Sequence, residues 1–495
     1  MIRTSKMVKI MSITHKRLWL PLLVLLMSAC GGGGSNEPDP DTAPTNGVVK
    51  IMPVSGNAPI LSLLVDADLE DENPGEALSE LSHGQAAAFT ASPRTYEVTA
   101  RYALPDGASA AREYEQALPP FNVEVESATR YELYFGGEYG AAEYWTVETP
   151  LTFDESETQA RLTLVNAAPG LPAMDIHLTV DGAPIDSSTL LATLNYKGSD
   201  NTIRVDEGDY QIKVTAAGST TVVYASSKIS VVKGTDLSFV AIDNAWVKDG
   251  VTGKSPIVLS RSTGTSTSSL MFDSAAGADI RAVNASPDAG LVDVILDDNF
   301  GAPFVQDLDL GQVTPYTSVT DGVHNVKLVP ANGATAAVDA NYNLFNGVSW
   351  TVFFMNPWAA VDPLFTSDNA RAISAHPRLR VVHGSSLAEA VDLYITEVDA
   401  DLGEENADGT PVFTPIGKGL SIKRATSYFA VAAGTYDLTF TRSLIEGEVP
   451  PDSPVVKYGP ITVTLEAGEV YTLLLRDTAT VTITHDWLDE VPAAI

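Results

Sequence analysis

The chain predicts an all-β protein made of tandem immunoglobulin-like β-sandwich domains, and three observations predict it. Apolar and polar residues alternate with a period of two in stretch after stretch, as in VDEGDYQIKVTAAG from Val205 and VTDGVHNVKLVPANG from Val319. That is the pattern of a strand buried on one face. Helix-period patterns are nearly absent. A strand–turn–strand unit also returns along the chain at a spacing of roughly 100 to 120 residues, which exceeds a solenoid repeat and suits one small sandwich per copy.

The chain opens on an export signal. Arg3, Lys6, Lys9, Lys16 and Arg17 precede the apolar run Leu18–Met27, which is half the roughly 20 residues a membrane-spanning helix needs. A basic start, a short apolar core and small residues at its exit mark a secretory signal. Here the small residues are Ser28 and Ala29, and the next is Cys30, the single cysteine among 495 residues.

PLLVLLMSAC resembles the signal of bacterial lipoproteins, with Met27 at the position usually held by Leu. The resemblance implies removal of residues 1–29 and acylation of Cys30 as the first mature residue. One acyl chain holds a protein only marginally, and this type of modification places several on one cysteine. Gly31 follows where inner-membrane retention would favour Asp, so the expected location is the outer membrane, lipid-anchored, on its periplasmic or outer face. Residues 30–46, rich in Gly and then in Pro and Asp, read as a flexible linker.

The body follows. RLTLVNAAPGLPAMDIHL from Arg161, RAVNASPDAGLVDVIL from Arg281 and RLRVVHGSSLAEAVDLYI from Arg378 align as strand, turn and second strand, the last carrying one Asp between apolar neighbours: Asp175, Asp293 or Asp392. A divergent copy, VVKIMPVSGNAPILSLLV from Val48, has Ser62 at that place. Downstream, each copy carries an alternating strand that ends on Gly107, Gly218, Gly333 or Gly447, suited to a turn with positive φ. Each then closes with an apolar strand: RYELYF, DLSFVAI, SWTVFFM or VYTLLLR. The expected sandwiches are residues 47–152, 159–260, 278–368 and 376–490. Their joints fall near 152–159, 259–278 (with the low-complexity run RSTGTSTSS) and 366–376, and the four are expected to string into a flexible rod.

The R-x-x-x-A-S-P-D-A…V-D-V stretch and the following G-x-Y/H-x-φ-x-φ strand (φ here an apolar residue) resemble the bacterial domain of unknown function 4397, DUF4397. The likeness is best over 281–296 and good over 161–178 and 378–396. It implies a tandem, exported, all-β domain and brings no activity with it.

Charge and motif content narrow the function. Thirty Lys and Arg face 63 Asp and Glu, for a formal net charge of −33, which becomes −38 once the signal is removed with its five cations. So acidic a chain lacks the basic footprint that nucleic acid or anionic headgroups require. With its one Cys acylated, no intrachain disulfide is available, so the fold rests on its hydrophobic cores. His83, His177, His324, His376, His383 and His485 are scattered without zinc-ligand spacing. No G-x-S-x-G elbow, P-loop or dinucleotide motif occurs, and the chain is read as no enzyme.

Asp175, Asp293 and Asp392 read as structural turn residues, accepting backbone N–H groups beside their loops. Two acidic loops, DADLEDEN with Asp66 and Asp68 and DADLGEENADG with Asp399 and Asp401, offer oxygen clusters of the kind Ca²⁺ accepts, although they depart from the EF-hand pattern. Calcium is the one cofactor considered. Trp145, Trp246, Trp358 and Trp487 stand at strand ends, where packing is favoured over stacking on sugars. The expected protein is a non-catalytic surface, adhesion or scaffold module. Its anchor is the lipid on Cys30 and its partner a protein or glycan. The rivals are a polymer-degrading hydrolase and a calcium-stiffened stalk.

Overall fold

The alternation translates directly into strands. Along Gly322–Pro330, His324, Val326 and Leu328 are buried while Val323, Asn325 and Lys327 are less so. The computed structural model describes residues 46–66, 77–107, 112–151, 157–247, 254–264, 268–444, 453–489 and 493–494. Cys30, the signal and Asp68 lie outside them. The chain divides into two units, Met1–Thr42 and Ala43–Ile495, and every strand belongs to the second. Among the described residues the only helix is one 3₁₀ turn, Trp358–Ala360, and no helix is long and apolar enough to cross a membrane.

Eight sheets pair into four sandwiches, and the same pairing recurs in each. In one sheet the opening strand (Gly47–Pro53, Ala160–Asn166, Ala278–Asn284 or Arg378–His383) runs parallel to the closing strand (Thr129–Glu138, Asp236–Asp243, Ser349–Met355 or Val470–Asp477). The partners Lys50↔Glu132, Thr163↔Ser238, Arg281↔Thr351 and Arg380↔Thr472 occupy matching places. In the other sheet the second strand runs antiparallel to the long alternating strand, with Ser62↔Arg101, Asp175↔Thr215, Asp293↔Val329 and Asp392↔Thr441.

This register revises the alignment of the arginines. Arg161 and Arg378 are equivalent, but Arg281 matches Thr163 and Arg380, one same-face position further on.

Each sandwich encloses its own core, for example Ile280, Val294, Leu328 and Phe354 in the third. Two further apolar clusters lie between sandwiches. Met52, Val54, Tyr134 and Val147 of the first pack on Val165, Val240, Ile242 and Val258 of the second. Val283, Phe353 and Met355 of the third pack on Val382 and Leu474 of the fourth. The opening strands GVVKIMP, ARLTLVN and ADIRAVN are therefore buried at all seven positions, because both faces of their sheets are covered.

The sandwiches thus pack face to face in two pairs, first on second and third on fourth, where the sequence had suggested a flexible rod. The supposed joints are built in as well. In the segment before the fourth sandwich, Arg371 donates to the carbonyls of Gly56 and Ala58 in the first, at 2.8 and 2.6 Å, and Ser374 N donates to Asn57 O at 3.0 Å. Part of the RSTGTSTSS run is paired strand, with Arg261 opposite Ser269.

Candidate functional site

The strand aspartates hold loops. Asp293 accepts from the backbone N–H of Asp307 at 2.9 Å and of Asn332 at 3.0 Å. Asp175 accepts from Thr193 Oγ1 at 2.5 Å and from Gly218 N at 2.7 Å, and these bonds, with Thr193 the leading cause, set its carboxyl below the ordinary range. Asp392 accepts from Gly419 N at 2.7 Å. These three carboxylates sit in different sandwiches, each serving its own turn.

The acidic-loop residues are likewise engaged locally. Asp66 pairs with Arg94 at 2.5 Å and accepts from Glu97 N. Asp399 donates its N–H to Asp437 at 2.9 Å, and Asp401 accepts from Gly403 N. Among the described residues no three His, Cys, Asp or Glu side chains are grouped so as to hold a metal. The tryptophans lie against aromatic and apolar neighbours: Trp145 on Tyr134, Trp246 on His83 and Phe272, Trp487 on Tyr471, and Trp358 against the third core.

Sequence reasoning missed the groups the structure brings together. Between the first two sandwiches, Arg130, wholly buried, donates to Asp236 at 2.6 Å, and Arg161 makes a two-pronged contact with the same carboxylate at 2.6 and 3.1 Å. Lys50 donates to Glu132 at 3.0 Å and to Ser262 across the interface. Burial works to raise the Asp236 carboxyl, but the hydrogen bonds and charges of Arg161 and Arg130 outweigh it and leave it below its ordinary value. Burial lowers the Lys50 ammonium, opposed by Glu132.

Between the third and fourth sandwiches, Asp368 receives Arg380 at 2.6 Å, Tyr316 at 2.7 Å and Thr351 at 2.5 Å, while Arg281 reaches Asp489 at 3.0 Å. A third bridge joins the second and third sandwiches, where Lys254 meets Asp279 at 3.0 Å and the carbonyls of Ala276 and Gly277. The signal was present: lone cations inside otherwise apolar strands announce a face that is covered and needs a partner charge.

Two cavities open where sandwiches meet. One, of about 690 Å³, touches all four and is lined by Glu138, Glu143, Asp243, Asp368, Glu469 and Asp489, with no Lys or Arg among the described residues of its wall. The other, of about 620 Å³, lies among the first, second and fourth and has the opposite character: Arg112, Arg371, Arg378, His83 and His376 line it, with no Asp or Glu among the described residues. Burial, aided by Arg378, pushes Arg371 down to about 9. Burial, aided by Arg371, pushes His83 down to about 4. His83 Nε2 lies 2.9 Å from the carbonyl oxygen of Asp243. A carbonyl only accepts, so the ring proton sits on Nε2 and Nδ1 is left an acceptor. That Nδ1 is buried and has no partner among the described residues.

Residues 278–394 match the model of DUF4397, a domain of unknown function. The DUF4397 match runs from the opening strand of the third sandwich into the second strand of the fourth, Val391–Thr396. No curated protein sequence matches the chain.

Three solved structures are similar to it at low identity. The Bacillus anthracis TIE protein is 11% identical, with 85% of this chain and 69% of that one covered, at a TM-score of 0.14. A putative cell adhesion protein from Bacteroides eggerthii is 12% identical, with 43% and 96% covered, at 0.20. The major pilin subunit of Bacillus cereus is 10% identical, with 63% and 98% covered, at 0.12.

Proposed function

We propose that the chain is a cell-envelope lipoprotein, tethered by lipid on Cys30 to the outer membrane, whose sandwiches form a non-catalytic binding and scaffold module outside the cytoplasm. The observation that supports this most is the use made of the buried charges. Arg130, Arg161 and Asp236, and Arg281, Arg380 and Asp368, join one sandwich to the next. Groups of that kind in an enzyme would be poised around a reacting centre; here they hold one sandwich against the next. A fold of this class by itself assigns no activity, and the partner is a protein or a glycan.

Fractionation and turnover assays test the reading. The parent protein is expected in the outer-membrane fraction and the Cys30→Ser variant in the soluble one. Equal membrane retention of the two would remove the tether. Purified full-length protein is expected to leave envelope polysaccharides and proteins uncleaved. Release of new reducing ends or new amino termini would replace the binding module with the hydrolase.

A further inference from the structure

The basic cavity stands out against the chain that carries it. In a protein with twice as many acids as bases, a wall holding three arginines and two histidines, without one carboxylate among the described residues, is an unbalanced concentration of positive charge. Arg371 and Arg378 are not neutralised from behind. Arg371 donates to two carbonyls. Arg378 donates to the Asn369 side chain at 3.2 Å and to Arg371 O at 2.7 Å. Neither forms an ion pair among the described residues, whereas Arg130, Arg161, Arg281 and Arg380 all do. Arg112 meets Glu80 at 3.0 Å, an exposed contact that water screens. Arg371 is buried and Arg378 half-buried; cations side by side there repel each other, and an anion in the cavity would relieve both desolvation and repulsion.

A second observation narrows the anion. His83 is 2% exposed, and its Nδ1 asks for a hydrogen-bond donor on whatever fills the space. Acetate offers none and hydrogen phosphate a single hydroxyl, while a sugar ring offers several. The wall also carries Trp246, Leu104, Ile373 and Phe429, surfaces against which the C–H face of a pyranose packs. A volume of about 620 Å³ falls in the ordinary range of small-ligand sites, roughly 300–1,000 Å³.

We propose that this cavity binds an acidic sugar of the uronate class, its carboxylate facing Arg371, Arg378 and Arg112, a ring hydroxyl donating to His83 Nδ1, and the ring against Trp246. The inference rests on the reading of the chain as a binding module and names that module's ligand.

Calorimetric titration of the full-length protein in detergent at pH 7 tests it, with glucuronate, glucose, acetate and inorganic phosphate as separate arms. Glucuronate is expected to bind saturably, with the other three at least tenfold weaker. Arg378→Gln is expected to weaken glucuronate at least tenfold. Because Arg378 also ties down Asn369 and Arg371, a second variant is needed: His83→Gln, which keeps a donor for the Asp243 carbonyl and takes the acceptor away from the Nδ1 position. It should lose several-fold in glucuronate affinity with its melting midpoint at pH 7 unchanged. No glucuronate binding by the parent protein, or glucose or phosphate binding as tightly, overturns the proposal. Such a failure leaves the fractionation and turnover results untouched, so the broader reading stands or falls separately.

Discussion

Arg130 of the first sandwich and Asp236 of the second are bonded at 2.6 Å across a buried interface, and the same carboxylate is gripped by Arg161. One anion therefore offsets two cations, with Lys50 and Glu132 beside them. Removing one partner of a buried ionic contact leaves the others uncompensated in a poor solvent for charge, at a cost of about 3–5 kcal/mol.

Asp236→Asn should therefore destabilise the protein by about that much, read from denaturant midpoints at pH 7. The pH dependence carries a second signature. The folded Asp236 carboxyl lies below its ordinary value, so the unfolded chain takes up a proton there first. Its stabilisation is complete above the unfolded value near 4 and is lost as pH falls through the lower folded one. The parent should lose more stability than Asp236→Asn on going from pH 5 to pH 3. Parallel curves would show that Asp236 is not the group being titrated.

Much of the fold could be read without the structure, and the division is instructive. The alternation in GDYQIKVTA and GVHNVKLVP shows which side of a strand faces its own core, because that choice depends on residues two apart. The opening strands showed only half of their surroundings. Lys50, Arg281 and Arg380 occupy positions that a lone sandwich would turn to water; they are buried because the neighbouring sandwich covers that face. That contact is made by residues far apart in the chain, such as Lys50 and Ser262, and no local pattern encodes the pairing. The basic cavity was hidden for the same reason: His83, Arg112, Trp246, Arg371 and Arg378 come from segments of three different sandwiches.

Gly84 marks how closely the first two sandwiches approach. It has φ +77°, and a Cβ there would stand 2.7 Å from Ile242 Cδ1 and 2.9 Å from Leu270 Cδ2, both of the second sandwich. Its carbonyl also accepts from Ser260 and Ser268, each at 2.8 Å. Gly84→Ala should cost about 1–3 kcal/mol from backbone strain alone, with additional loss from the contact. The loss should appear as looser packing of the pair, measured as faster amide exchange along Asp236–Asp243.

Arg371 ties the segment before the fourth sandwich to the first. Arg371→Met keeps much of the apolar stem but leaves the carbonyls of Gly56 and Ala58 without their donor. An unsatisfied buried acceptor costs about 1–3 kcal/mol. Solution scattering should show expansion, and the His83 pKa, followed by NMR, should rise once the Arg371 charge is gone. A His83 titration identical to the parent's would show that the two groups are not neighbours in solution.

His83 itself should leave a mark on acid stability. Burial, then the Arg371 charge, hold its folded pKa at about 4 against an ordinary 6.5. Between those values the unfolded chain binds a proton that the folded one refuses, so stability is full above pH 6.5 and declines as pH falls toward 4. The difference corresponds to roughly 3 kcal/mol at the acid end. His376, His383 and His485 are lowered by burial in the same sense, so the decline should be shared among four groups. In His83→Gln, which cannot titrate, unfolding free energies between pH 4 and pH 6.5 should fall less steeply than in the parent, while the two proteins converge above pH 7. An unchanged slope would mean that His83 reaches water in the folded state and that the cavity wall it helps to form is open there.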